Sequence, residues 1–240
     1  MSAPLTTNAV TVIAIDGPAG AGKSTLGARL AQQLGYLYFD TGVMYRALTL
    51  TALREGLNLN DGPALEDLAR RIVITIAPPD HDDGRQYTVL AQGDDVTWAI
   101  RAPEVDSNVS LASSYPGVRH NMVARQRMIG LHGKVVMVGR DIGTVVMPDA
   151  GLKIFLETSL DERARRRSDE QHGRGMAADI SSVRGDLARR DALDRHVMQP
   201  ATDALLLQTD GLSLEDEVAW IIDYIQQRTQ ARSPERALEG

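Results

Sequence analysis

The chain has 240 residues, a formal charge of −6 and no cysteine. That length supports one domain with a real core and a smaller appended module. The missing thiols exclude disulfides and thiolate metal sites, the acidic balance argues against a surface given over to nucleic acid, and no 18-residue apolar run offers a membrane span.

The opening MSAPLTTNAVT has neither the basic segment nor the apolar run of a secretory leader, so a cytoplasmic protein is expected. Residues 1–9 and 231–240 are polar and are expected to be flexible ends. VTVIAI, ending at Ile15, is short and β-branched, which predicts a buried parallel strand. A helix is predicted over 24–35, with apolar residues at helical spacing and Gly35 at its end. A strand over 36–40 and helices over 44–56 and 63–72 follow. The stretch 71–100 changes character, with two alternating β runs separated by PPDHDDG, which predicts a small antiparallel module. Strands are predicted again at 134–141, 152–157 and 204–209, and helices at 159–172 and 213–228. Alternating strands and helices imply an α/β fold with a central parallel sheet flanked by helices.

Between the first strand and the first helix lies Gly17-Pro18-Ala19-Gly20-Ala21-Gly22-Lys23-Ser24, followed by Thr25. This is GxxxxGK[ST] in the required strand–loop–helix context. Glycines let the backbone approach a phosphate, successive amides form a concave nest, and the helix N-terminus adds positive dipole. Lys23 can reach the β/γ oxygens of a triphosphate and Ser24 can ligate Mg²⁺. The only other lysines are Lys134 and Lys153, so Lys23 does not come from a lysine-rich background. These residues specify a nucleoside triphosphate donor and leave the acceptor open. No guanine-reading NKxD follows, which counts against a regulatory switch. A P-loop kinase of another small acceptor stays possible on these residues alone.

DTGVMYRAL follows the second strand, where open α/β sheets place ligands. There Asp40, Thr41, Tyr45 and Arg46 offer carboxylate, hydroxyls and a guanidinium fork. Taken with SYPGVRHNMVARQR (114–127) and GRDIGTVVMPDAGLKIFLETSLDERARRR (139–167), the chain resembles the bacterial cytidylate kinases from about residue 10 to about 228.

The resemblance implies a P-loop kinase core over 10–230, with an acceptor-nucleotide-binding insert at 57–110 and a lid at 159–190. It implies ATP-dependent phosphorylation of CMP and dCMP, with Mg²⁺ beside ATP. With no heptads or apolar stripe a monomer is the default, and the acidic charge and missing span leave no nucleic-acid or membrane partner expected. Thr41, Tyr45 and Arg46 match monophosphate-binding positions, and Asp40 adjoins them. Ser110 matches a serine that reads cytosine, while Arg119 and Arg140 match arginines that hold the acceptor phosphate. Asp141 matches an aspartate on cytosine or near the metal. Arg163, Arg166 and Arg167 fall where such lids carry phosphate-clamping arginines. Arg190 and Asp194 match groups near the phosphates and on the ribose hydroxyls.

One stretch departs from the pattern. In RDALDRHVMQPATDALLL, Val197 stands where the family carries an arginine three residues after the aspartate, so that either Arg195 substitutes or the ribose-side contact is weaker. No histidine or carboxylate constellation suggests a general base. None is expected, because a phosphate acceptor is mostly dianionic at pH 7. The five histidines are scattered and receive no role, and Trp98 and Trp220 are expected to be packing residues.

Overall fold

The computed structural model describes residues 10–77, 79–173 and 179–231, with side chains as far as residue 228. The expected flexible ends, apart from Ala231 in the second, and residues 174–178 of the expected lid lie outside the described residues. The chain forms two compact units. One runs to Phe39 and continues through Gly130–Asp191 and from Val197 onward; the other holds Asp40–Ile129 and Ala192–His196.

The first unit is built on a five-stranded sheet of order β2-β6-β1-β7-β8. Its strands are β1 (Val12–Asp16), β2 (Leu37–Asp40), β6 (Val135–Val138), β7 (Leu152–Glu157) and β8 (Leu205–Gln208). The pairs β1–β6, β1–β7 and β7–β8 are all parallel, with Ile15 registered on Val138 and on Ile154. β1 is buried along its whole length, as its unbroken apolar run requires. Ile13 and Ile15 face a core shared with Leu26 and Leu30 of α1 (Lys23–Leu34) and with Val218, Ile221 and Ile225 of α8 (Leu214–Ala231). Each such side chain contributes roughly 1.5–3 kcal/mol by leaving water. Helix α1 ends where Gly35 turns left-handed at φ +66°. Two further helices, α6 (Leu160–Gly173) and α7 (Ile180–Asp194), carry the arginine-rich segment and the RRDALD motif.

The second unit holds α2 (Gly42–Arg54), α3 (Gly62–Arg71), α4 (Pro103–Ser114) and α5 (Pro116–Gly130), with the antiparallel sheet β3-β4-β5 (Ile74–Ala77, Thr88–Ala91, Asp94–Asp95) inside the 57–110 segment. Asp61 caps α3 by accepting from the Ala64 amide at 3.1 Å. The small sheet is pinned by Arg85, whose buried guanidinium pairs with Asp80, Asp83 and Asp95. Asp83 also accepts from the indole N–H of Trp98, and Arg101 stacks over that ring at 5.1 Å.

The α/β class, the central parallel sheet and the antiparallel module agree with the sequence reading, and each predicted strand and helix has a counterpart. Helices α4, α5 and α7 were not anticipated. In α5 the apolar Val118, Met122 and Val123 are interleaved with arginine, histidine and a buried glutamine, Gln126, which blurs the helical period. The tryptophans are not core residues. Trp98 is 44% and Trp220 43% exposed, the latter stacked on Tyr224 at a centroid distance of 6.1 Å. Among the described residues no helix is long and apolar enough to cross a membrane.

Candidate active site

In the first unit the phosphate loop leaves β1 and enters α1 through three glycines with positive φ, Gly17 at +148°, Gly20 at +77° and Gly22 at +92°. Gly17 has a second reason to be glycine, since a Cβ there would lie 2.8 Å from the Leu156 carbonyl oxygen on β7. The loop is therefore pressed against the neighbouring strand. Lys23 is buried and reaches back across the loop, donating from Nζ to the Pro18 carbonyl at 2.7 Å. Ser24 and Thr25 are exposed on the first turn of α1, where the amides and the dipole favour an anion.

Behind the loop, Asp16 ties β1 to the segment after β6. Its two carboxylate oxygens accept from the amides of Ile142 and Gly143, each at 2.7 Å, at the start of a single π-turn over Ile142–Val146. Burial pushes the Asp16 carboxyl up to about 6; the two amides pull it down, the Asp141 charge raises it and Lys23 lowers it. Arg140 lies in the same bend and donates to the Gly17 carbonyl at 3.1 Å. Asp16 thus holds in place the turn that presents Arg140 and Asp141. The sequence reading passed over Asp16 because its partners are backbone amides far along the chain.

The three arginines of α6 have different surroundings. Arg163 is buried, and its donors go to the Thr158 carbonyl, the Ala19 carbonyl and both oxygens of Asp191. Through the Ala19 carbonyl Arg163 fastens the loop itself. Arg166 lies over the loop, with a terminal nitrogen 3.3 Å from where a Gly22 Cβ would stand. It donates to Glu162 at 2.8 Å and to the Thr209 carbonyl at 2.6 Å, and it stands 3.8 Å from Glu217. Arg165 first, and then Arg166, hold the Glu162 carboxyl down to about 2, while burial pushes Glu217 up to about 7. Arg167, about a third exposed, pairs with Glu170 one turn on. Arg190 is half-buried on α7. An open cleft of about 420 Å³ adjoins the loop, lined among others by Pro18, Phe155, Thr158, Arg163, Gln208 and Asp210.

In the second unit the groups predicted for the acceptor gather around the start of α2. The Asp40 carboxylate accepts from the Gly42 amide at 2.9 Å, and Thr41 and Tyr45 are buried beside it. Arg46 is held by two partners that the sequence reading missed, the Ile100 carbonyl at 3.2 Å and the Asp106 carboxylate at 2.5 Å. Asp106 lies in the first turn of α4, fixing one edge of the guanidinium. The hydroxyl of buried Tyr87 belongs to the same group. Burial raises its pKa above the ordinary tyrosine value, with Asp40 reinforcing the shift and Arg101 and Arg46 opposing it. Ser110 is buried on α4, Arg119 half-buried on α5, and Asp194 buried at the end of α7 beside exposed Arg195. Val197, where the resemblance anticipates an arginine, is half-buried.

Comparison with known proteins supplies independent information. A family profile described as cytidylate kinase matches residues 13–227. The cytidylate kinase of Chloroflexus aggregans is 59% identical over 211 residues, covering 88% of this chain and 92% of that one. That of Roseiflexus castenholzii is 55% identical and covers 99% of this chain and all of its own. That of Herpetosiphon aurantiacus is 50% identical over 91% of this chain and 96% of its own.

Proposed function

This chain belongs to the cytidylate kinase family, and from that premise we propose that it transfers the γ-phosphate of ATP to CMP and dCMP, giving ADP with CDP or dCDP. The observation that carries the donor side is the Gly17–Ser24 loop, with three positive-φ glycines and Lys23 folded across it.

In the proposed reaction an oxygen of the CMP phosphate attacks the γ-phosphorus. A new P–O bond forms, the bond to the β,γ-bridging oxygen breaks, and ADP leaves. The attacking oxygen is already ionised at pH 7, so no proton has to be removed. The obstacle is repulsion between two polyanions. Unit charges ~4 Å apart repel by about 1 kcal/mol in water and about 4 kcal/mol at an effective dielectric near 20. Lys23, Arg140, Arg166 and Arg167 in the first unit and Arg46 and Arg119 in the second are the cations proposed to offset it. They act by positioning and by stabilising charge in a loose transition state. Thr41 and Tyr45 would orient the acceptor phosphate, Ser110 and Asp141 the base, and Arg190 and Asp194 the phosphate and ribose sides. The donor's nucleoside portion is proposed to occupy the cleft beside Pro18 and Thr158.

Mg²⁺ fits the donor residues. Ser24 offers an exposed hydroxyl at the head of α1, and Asp141 is a hard oxygen donor of the same unit. Among the described residues no three carboxylates or histidines form a metal-holding cluster. When bound, the ion neutralises charge developing on the β- and γ-oxygens.

The test is a coupled ADP-release assay across CMP, dCMP, UMP, AMP and GMP, with and without EDTA. CMP and dCMP should lead, and EDTA should abolish turnover. Preferential use of AMP or GMP would overturn the assignment.

A further inference from the structure

The phosphate loop is fastened at its apex from two directions. The methyl of Ala19 is buried in a small apolar cluster with Ala164 of α6 and Val183 and Leu187 of α7, with Leu160 packed against it. The Ala19 carbonyl accepts from a terminal nitrogen of Arg163 at 3.0 Å. That guanidinium is only 5% exposed, and its position is set by other bonds. Nε donates to the Thr158 carbonyl at 3.1 Å, and the two terminal nitrogens donate to the Asp191 carboxylate at 3.1 and 2.6 Å. The arrangement is a bidentate fork that fixes both the plane and the direction of the guanidinium.

A peptide group is planar and trans, so its C=O and N–H point in opposite directions. Holding the Ala19 carbonyl toward Arg163 therefore turns the Gly20 amide away from Arg163. Gly20 is exposed and adopts φ +77°, one of several conformations open to a residue without a Cβ. A nest of amides binds phosphate only while its N–H groups converge, and a single flipped peptide would aim a carbonyl at the anion instead.

We propose that Asp191 is a positioning residue for the donor phosphates, acting through Arg163 to lock the Ala19–Gly20 peptide in its anion-binding orientation. The inference rests on reading Gly17–Ser24 as the donor site. It assigns Arg163 a task different from phosphate contact and gives a role to an aspartate that the motif reading passed over. Without the carboxylate, the guanidinium keeps its bonds to the Thr158 and Ala19 carbonyls but loses the fork that fixes its plane, and its hold on the loop apex loosens. Asp191→Asn keeps the shape and one acceptor. Arg163→Lys keeps the charge and loses the fork.

Calorimetric titration of each variant with ADP and, separately, with CMP decides the matter. For Asp191→Asn the dissociation constant for ADP should rise about tenfold while that for CMP stays within about twofold. Arg163→Lys should show the same selective loss, and the double variant no more than the weaker-binding single one, because both act through one bond network. Unchanged ADP affinity in both variants overturns the proposal. So does a parallel loss of ADP and CMP affinity, which marks a general effect on folding. Should Asp191→Asn fail to fold, Arg163→Lys alone decides by the same two constants. Failure of the wild-type chain to bind CMP would instead count against the kinase assignment.

Discussion

The donor and acceptor halves of this molecule are built on different principles. The proposed donor side is mostly backbone, the nine consecutive residues Gly17–Thr25, in which glycines and amides offer the binding groups and Lys23 is the loop's own cation. Its side chains serve largely to hold that backbone, as Arg163 holds Ala19 and Arg140 holds Gly17. The proposed acceptor side is mostly side chain, with Thr41 at the head of α2, Arg46 on α2, Ser110 on α4 and Arg119 on α5, and Arg46 held by Asp106 and the Ile100 carbonyl. Backbone recognition suits a triphosphate, which presents similar oxygens in any nucleotide. On the acceptor side the phosphate contacts proposed for Thr41, Arg46 and Arg119 serve any monophosphate, and telling one base from another falls to the groups proposed for the base, Ser110 and Asp141, because discrimination needs polar groups left unpaired by the wrong ligand.

That contrast is broken or sharpened first at Lys23. Lys23→Ala removes the donor side's own cation and should lower turnover about 10³-fold, the loss typical of a group that meets charge developing in the transition state. CMP affinity should stay unchanged by calorimetry. A matching loss of CMP affinity would mean that the two halves are not separate recognition devices.

The acceptor side gives the next largest effect. Arg46→Ala deletes the guanidinium that Asp106 orients, so kcat/KM for CMP should fall about a hundredfold with KM for ATP nearly constant. Asp106→Asn should cost about tenfold in the same parameter, because the arginine stays and only its direction loosens. Steady-state kinetics with each substrate varied in turn separates these cases. Equal losses in the two variants would show that Asp106 does more than orient Arg46.

The same contrast explains what could be read before folding. Gly17 to Ser24 are legible because the chemistry is local, with loop, lysine and helix start contiguous. The sheet strands are legible because β-branched runs such as VTVIAI admit little else. The supports were not legible. Asp106 lies 60 positions from Arg46, Asp191 28 from Arg163, and the Ile142 amide 126 from Asp16. Nothing in a one-dimensional pattern pairs a carboxylate with a backbone amide at such separations. Arg163 illustrates the same limit. Its place in an arginine-rich helix suggests a phosphate ligand, and only its burial and its four bonds show it fastening the loop. Helix α5 escaped because buried Gln126 and the interleaved arginines hide its apolar stripe.

The smallest of these effects concerns the root of the donor loop. Asp16 has its pKa raised by burial to about 6, against 3.8 in the unfolded chain. For a carboxyl raised on folding, the favourable contribution is complete below about 4, where the group is neutral in both states. It is lost as pH rises through about 6, and above that the folded protein holds a buried charge. Two amides from the π-turn offset part of this cost, and Lys23 contributes further. Asp16→Asn cannot ionise, so the stability difference between variant and wild type should change with pH by about 2 kcal/mol in total across pH 4 to 7, moving in the variant's favour as pH rises. Urea unfolding of both proteins at several pH values measures it. The carboxamide also turns one acceptor into a donor facing an amide, which adds a penalty that does not vary with pH. The slope therefore isolates the charge and the offset isolates the hydrogen bond. A flat difference across that range would mean that Asp16 titrates as in the unfolded chain and that its burial carries no electrostatic cost.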